Sequence, residues 1–349
     1  MKKKNLSAKK KIHNFYLKNL KSTKILKIYS KFKKILDKQN TKNMVAAISG
    51  GSDSMALAFL TKCYSIEKNC KFFYFIVDHR LRDDSTKEAK LTKKFLKYYG
   101  INCEILTWNR KKKNSNLQSI ARENRYGLIF KKCFKKKIKL ILTAHHENDL
   151  YENFFIRLLR GSGLKGLSSF SSLKAKIKKD KNIFIFRPLI NVPKNDLLYI
   201  TKKTFNFYIK DVSNENDKFL RVKIRKLIDK LNLNGLDLKK FKMTLKNLHK
   251  SNETIDFYVK KNIKNNSIVL DSKKSIMINK NFFNQPLEIV FRSLSELTHK
   301  IGNKDKYTRG SKILNLINDI NSSENFKKKT LSGCSFEKLN KSIIISQER

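Results

Sequence analysis

Between Met44 and about Lys203 the chain alternates short, unbroken apolar runs with amphipathic stretches, and this rhythm leaves few folds open. Met44–Ile48 (MVAAI), Phe72–Val77 (FFYFIV), Cys103–Thr107 and Lys139–Thr143 (KLILT) read as strands buried on both faces. Ser54–Glu67, Asp84–Tyr99, Leu117–Phe134 and Asp149–Leu159 read as the helices that follow them, and a further strand is expected at Ile183–Phe186, just before Arg187-Pro188-Leu189. Strand–helix alternation with continuous apolar strands implies an α/β fold, a Rossmann-like parallel sheet covered by helices on both faces.

Three regions are expected. Residues 1–43 form a basic extension in which Ile25, Ile28, Tyr29, Phe32, Ile35 and Leu36 recur at helical spacing, so part of it should dock as a helix. Residues 44–215 form the α/β domain, and the polar stretch Asp211–Asp217 (DVSNEND) marks its end. Residues 216–349 read as a mostly helical α+β domain. It has a long Lys-rich helical region to about Lys264, a hairpin-like pair (Ser267–Asp271, Ser275–Asn279), helices over Pro286–Ile301 and Arg309–Ile320, and a last strand pair (Lys329–Phe336, Ser342–Ser346). No internal repeat is found.

The formal net charge is +50, from 79 Lys plus Arg against 29 Asp plus Glu. A polyanionic partner explains such an excess, because each neutralised phosphate releases counterions; drift towards residues with AT-rich codons (Lys, Asn, Ile) explains it equally. Arginine is more telling. Only 13 of the 79 basic residues are Arg, and nine of them fall in the motifs below, where a planar bidentate donor suits phosphate or carboxylate. The five cysteines (Cys63, Cys70, Cys103, Cys133, Cys334) are scattered without a C-x-x-C pair, which argues against a disulfide framework or a cysteine metal site and fits a reducing cytoplasm. No apolar run approaches the roughly 20 residues that span a bilayer, so no membrane role is expected.

The first strand runs into Ser49-Gly50-Gly51-Ser52-Asp53-Ser54 and then a helix. Glycines let the backbone approach a phosphate, while helix N–H groups and hydroxyls supply donors. No Gly-Lys-Ser/Thr follows, so this is not a Walker loop. Asp53 makes the sharpest demand: a carboxylate beside phosphates is repelled unless a cation such as Mg²⁺ stands between them. A helix-start acid is its alternative role.

Further motifs fall at later strand ends, where open sheets bind ligands. Val77-Asp78-His79-Arg80-Leu81-Arg82 follows the second strand; His79 there is either a ligand contact or a packed structural residue. Arg122 and Arg125 sit one turn apart on the next helix, as phosphate donors or as a solvated face. His145-His146-Glu147-Asn148-Asp149 follows the fourth strand, with Asp149 and Glu152 on one helix face. Acids in a first turn are a common helix-start device, which leaves the doubled histidine unexplained. Arg157 and Arg160 then lead into the glycine-rich Gly161–Leu167.

SGGSDS resembles the signature of the PP-loop ATP pyrophosphatases, an adenine nucleotide alpha hydrolase-like class. With VDHRLR, ARENRY, TAHHENDLYEN, RGSGLKGLSS, RPL and DVSNEND followed by Arg221 and Arg225, the chain is similar to the tRNA(Ile)-lysidine synthetase family over about Met44 to Arg225. Leu331-Ser332-Gly333-Cys334 also looks like that family's small C-terminal domain. Two departures stand out: where the family usually has HHxDDxxET, Asn148 replaces one acid and Asn153 the threonine, and the extra terminal domain of longer members is not evident.

The resemblance implies that ATP adenylates the wobble cytidine of a CAU-anticodon isoleucine tRNA and that free L-lysine then displaces AMP. It implies Ser49, Gly50, Gly51, Ser52, Asp53, Ser54 and His79 around ATP, with Mg²⁺ on Asp53. Arg122 would act at the α-phosphate, and His146, Asp149 or Glu152 would take the amine's proton. Arg125, Arg157, Arg160, Arg187, Arg221 and Arg225 are candidates for tRNA phosphates, residues 216–349 for a tRNA-binding domain, and a homodimer stays open. Alternatives are tRNA thiolation, for which paired cysteines are lacking, an ammonia-using ligase, and a non-catalytic RNA-binding protein.

Overall fold

The computed structural model describes residues 2–80, 84–108, 117–169, 174–176, 183–210, 219–270, 275–304, 307–322 and 326–348, without the side chains of 2–9, 117–119, 121, 122 and 174–176. The chain divides into two compact units, Met1–Met243 and Thr244–Arg349. The division falls inside a long helix, Leu238–Asn266, beyond the polar stretch 211–217, which lies outside the described residues.

In the first unit α1 (Lys2–Leu20) and α2 (Thr23–Asp37) precede β1 (Asn43–Ile48). Then come α3 (Ser52–Lys68), β2 (Lys71–Asp78), α4 (Ser85–Tyr98), β3 (Cys103–Thr107), α5 (Leu117–Lys135), β4 (Leu140–Leu142), α6 (Glu147–Leu158), α7 (Leu164–Ser168), β5 (Lys174–Lys176), β6 (Phe184–Phe186), α8 (Lys194–Thr204) and α9 (Leu220–Leu233). The sheet order is β3-β2-β1-β4-β6-β5, parallel except for β5, which runs antiparallel on the edge. The expected α/β class is thus what the chain adopts.

The strands are apolar throughout because both faces are covered. Successive side chains point to opposite faces: Met44, Ala46 and Ile48 enter a core built with α1 to α4 and α8, whereas Val45 joins Phe75, Leu106, Ile141 and the α5 residues Ile129 and Cys133. Of the six apolar residues expected to dock α2, five are buried and Ile35 is partly so. Full burial of such a side chain is worth about 1.5–3 kcal/mol, enough to hold a helix rich in mutually repelling lysines. Ahead of it, α1 inserts Tyr16, whose hydroxyl donates to the Tyr99 carbonyl (2.9 Å), and Phe15, stacked on Phe205.

The helix Leu238–Asn266 is α10. The second unit carries β7 (Ser267–Val269), β8 (Ser275–Ile278), α11 (Leu287–Ile301), α12 (Gly310–Ser322), β9 (Lys328–Leu331), β10 (Cys334–Leu339) and β11 (Ser342–Gln347). Its antiparallel sheet has the order β7-β8-β11-β10-β9. Where one strand was expected over Lys329–Phe336, the chain reverses at Ser332 (φ 55°) and Gly333 (φ 76°), making β9 and β10 a tight hairpin. Among the described residues no helix is long and apolar enough to cross a membrane.

Candidate active site

The winding of the sheet changes direction at β1, with β2 on one side and β4 on the other, and the crevice at the carboxyl ends of such strands is where open α/β sheets bind ligands. Residues 49–54 leave β1 there. Gly50 has φ +89°, and a Cβ would stand 2.7 Å from the Thr92 hydroxyl oxygen and 3.2 Å from Ile209 Cγ1, so the turn admits only glycine. The Gly50 carbonyl accepts from the Ile209 N–H (2.9 Å).

Ser54 shapes this loop from inside. Its buried Oγ accepts from the Ser49 and Gly50 N–H groups (3.1 Å each) and donates to the Gly51 carbonyl (2.9 Å). Thr201 of α8 fixes the start of α3 by donating to the Ser52 carbonyl (2.7 Å). Amides of a first helical turn have no partner within the helix, which makes those of α3 the donors on offer to an anion.

The segment after β4 meets that loop. His146 precedes α6, and its Nε2 lies 3.4 Å from Asp53 Oδ2 and 3.8 Å from Asp149 Oδ2. Asp149 Oδ2 also accepts from the His146 backbone N–H (3.0 Å), so Asp149 does serve as the helix-start acid, while facing the site. Burial opposes a charged His146, yet the Asp53, Asp149 and Glu152 carboxylates outweigh it and raise its pKa. Asp149 is likewise buried, but the neighbouring His146 and His145, the backbone bond and Arg221 hold its pKa below the usual carboxylate value. One turn on, Glu152 is 2% exposed and receives Arg225 Nε at 2.6 Å and Nη2 at 3.5 Å. Sequence spacing gave no hint of this pair, which binds α6 to α9.

Asn148 points elsewhere: it is exposed and its Oδ1 accepts from the Lys194 N–H at the start of α8 (3.3 Å). An aspartate can accept the same bond. Asn148→Asp is therefore expected to keep turnover within about threefold, because an exposed carboxylate with a retained acceptor changes little. Steady-state assays decide it, and loss of activity in Asn148→Asp with full activity in Asp149→Asn would reverse the roles given to the two positions.

A second cluster occupies the end of β2. Asp78, which the sequence did not single out, is buried and accepts from the Arg80 N–H (3.0 Å), Ser85 Oγ (3.0 Å) and Thr86 Oγ1 (2.7 Å). Burial disfavours its charge, but the bonds from Thr86, Arg80 and Ser85 prevail and depress its pKa. A depressed carboxylate stabilises the fold above its unfolded pKa, and that contribution is lost as pH falls through the folded pKa. Asp78→Asn should thus cost about 1–3 kcal/mol at pH 7 and progressively less in acid below the usual carboxylate pKa, as read by urea unfolding at pH 7 and about pH 2.5. An equal cost at both pH values would show the charge to be irrelevant.

Beside it, Arg125 Nε donates to His79 Nε2 (3.0 Å), and burial with the Arg125 charge lowers the imidazole pKa to about 4. His79 and Arg125 thus form a pair of their own. Arg157 lies two turns beyond Asp149, about 12 Å along α6 at 1.5 Å per residue, and is half-buried, whereas Arg160 is exposed. Arg187, directly after β6, is buried. The side chain of Arg122 and residues 81–83 lie outside the described residues.

The PP-loop domain family model matches residues 24–231. A tRNA(Ile)-lysidine synthase of Orientia tsutsugamushi is 32% identical over 319 residues, covering 87% of this chain and 69% of that protein. The chain belongs to the tRNA(Ile)-lysidine synthase family. A Rickettsia peacockii member is 39% identical over 188 residues, which are 54% of this chain and only 34% of that longer protein. A solved structure of a U34-tRNA thiolase from Methanococcus maripaludis with its [4Fe-4S] cluster shares the fold at TM-score 0.55 and 18% identity, covering 66% of this chain and 78% of that one. The resemblance drawn from the motifs is thereby borne out.

In this lysidine synthase family member all five cysteines are free thiols, four of them buried. Burial pushes Cys103 and Cys133 up to about 12 and Cys334 up to about 11, and it raises Cys63 and Cys70 as well. Among the described residues no group of three His, Cys, Asp or Glu is arranged to hold a metal ion.

Proposed function

We propose that this chain uses ATP to attach free L-lysine to carbon 2 of the wobble cytidine in a CAU-anticodon isoleucine tRNA. The observation that carries the reading is the meeting of Asp53 in the 49–54 loop with His146 and Asp149 at the switch point of the sheet, in a chain of this family. In the first step the cytidine carbon-2 oxygen attacks the α-phosphorus of ATP and pyrophosphate leaves. The loop amides are the donors for its charge, and such preorganised donors are worth more in a site shielded from water. In the second step the lysine amine attacks carbon 2, the bond to the adenylate oxygen breaks, and AMP departs.

The attacking amine must lose a proton. Both Glu152 oxygens are engaged by Arg225 and one Asp149 oxygen by the His146 N–H, whereas His146 Nδ1 is buried with no partner among the described residues. In this reading His146, when neutral, takes the proton, with Asp53 and Asp149 stabilising the imidazolium that results. Asp53, with 28% of its side chain exposed beside the phosphate loop, fits a Mg²⁺ that takes most of its ligands from phosphate and water. Such an ion would supply charge neutralisation at the leaving pyrophosphate. Residues 216–349 fit an accessory tRNA-binding role, since the substrate extends far beyond its wobble base.

The test is incubation with ATP, radiolabelled lysine and total bacterial tRNA, then nucleoside analysis. Label in a modified cytidine is expected. ATP turnover without lysine incorporation would overturn the reading.

A further inference from the structure

We infer that the outer face of α2 is a docking surface for the sugar–phosphate backbone of the RNA substrate. The inference rests on the function proposed above and names a surface that the catalytic loop and α6 do not include. At about 100° per residue, Lys27, Lys31 and Lys34 fall within roughly 60° of one another on the helix circumference, directly opposite the buried Ile25, Phe32 and Leu36. With Thr23, Leu26 and Ser30 they line a shallow groove of about 390 Å³.

Three observations separate this stripe from an ordinary solvated face. The lysines on its flanks are neutralised, Lys24 by Asp196 (2.8 Å) and Lys33 by Glu67, whereas among the described residues no acid forms an ion pair with Lys27, Lys31 or Lys34. No acidic residue occurs before Asp37 at the end of α2, and Asp37 accepts from the Tyr64 hydroxyl (2.9 Å) and pairs with Lys68 (3.9 Å) rather than with the three lysines. Like charges at i,i+3 and i,i+4 cost a helix a few tenths of a kcal/mol each, a burden an anionic partner would relieve. The stripe also starts at the catalytic edge of the sheet. Lys24 pairs with Asp196 in the first turn of α8, and the Lys194 N–H of that turn bonds Asn148, two residues from His146.

RNA fits this face better than a lipid surface. A membrane-binding helix offers its apolar side to the bilayer, but that side of α2 is buried in the protein, and beside the lysines stand the small hydroxyl residues Thr23 and Ser30 with a single half-exposed apolar side chain, Leu26. Hydroxyls and lysines are phosphate-backbone donors that carry no base preference.

The test compares the full chain with two triple variants, Lys27→Gln/Lys31→Gln/Lys34→Gln on α2 and Lys90→Gln/Lys94→Gln/Lys97→Gln on α4, whose lysines are exposed at the same spacing. A CAU-anticodon tRNA transcript is titrated at 50–200 mM KCl, after thermal melts show that both variants are folded. Loss of three phosphate contacts should flatten the slope of log affinity against log salt by about two and weaken binding roughly tenfold or more at 100 mM salt in the α2 variant, with the α4 variant within about twofold of the parent. The KM for tRNA should rise in parallel. Equal losses in both variants, no loss in either, or a loss seen only with phosphatidylserine vesicles would overturn the inference. A parent chain that binds the transcript through α2 but incorporates no lysine would overturn the proposed function and leave this surface standing.

Discussion

Replacing Asp53 with asparagine is expected to lower ATP-dependent tRNA modification by at least 10²–10³-fold, on the order of losing one preorganised charge-stabilising group. The substitution is isosteric and the position is partly exposed, so the fold should survive: Ser54, Thr201 and Ile209 hold the loop through bonds that do not involve the Asp53 side chain. What disappears is a negative charge in the 49–54 loop, 3.4 Å from His146 Nε2. Both proposed roles of that charge, holding Mg²⁺ on pyrophosphate and stabilising the imidazolium, fail together. Binding of tRNA, which rests on basic surface, should stay within about threefold of the parent. Near-normal turnover at saturating Mg²⁺ would remove Asp53 from the mechanism.

The largest loss of stability is expected at Arg225. In Arg225→Ala, Glu152 stays buried with its counter-ion gone, and stranding a buried charge costs about 3–5 kcal/mol. The guanidinium is about a third exposed, so the lower end of that range applies here. Arg225→Lys should recover only part, because an ammonium lacks the planar fork that meets both carboxylate oxygens. A double replacement, Glu152→Leu with Arg225→Met, separates structure from chemistry: two apolar side chains of similar volume should restore most of the stability without restoring activity. Urea unfolding and turnover are read on all three variants. Unchanged stability in Arg225→Ala would mean that the pair contributes little.

Much of the first unit was legible because burial on both faces writes itself as unbroken apolar runs, and the strand boundaries at β1, β2 and β3 fall within a residue or two of the runs that announced them. The 49–54 loop was legible for another reason, since its glycine and hydroxyl pattern has few uses besides phosphate. The partners that arrange the site were not. Glu152 and Arg225 lie 73 residues apart, and nothing local in either segment selects the other. Ser54 looked like a phosphate donor, yet its hydroxyl closes the loop on itself, a distinction that depends on the direction of one χ1 angle. The edge strand β5 was missed because Lys174–Lys176 has no apolar period to show, as suits a strand at the end of a sheet. The β9–β10 reversal was missed because Ser332-Gly333 interrupts an otherwise plausible single strand.

The attachment of α9 and the first turn of α10 to α6 also bears on how the protein can be dissected. Tyr151 donates to the Leu238 carbonyl (3.3 Å), and Phe241 sits with its ring centroid 5.5 Å from Tyr151, 5.1 Å from Phe154 and 5.5 Å from Phe155. Lys242 reaches Glu147 on the same helix. A fragment ending at the polar stretch 211–217 would therefore bare three aromatic rings and strand two acids, Glu147 and Glu152, on the very helix that carries His146. Such a fragment should be sticky and inactive for reasons unrelated to RNA binding. The smallest soluble piece retaining the chemistry should run through Met243.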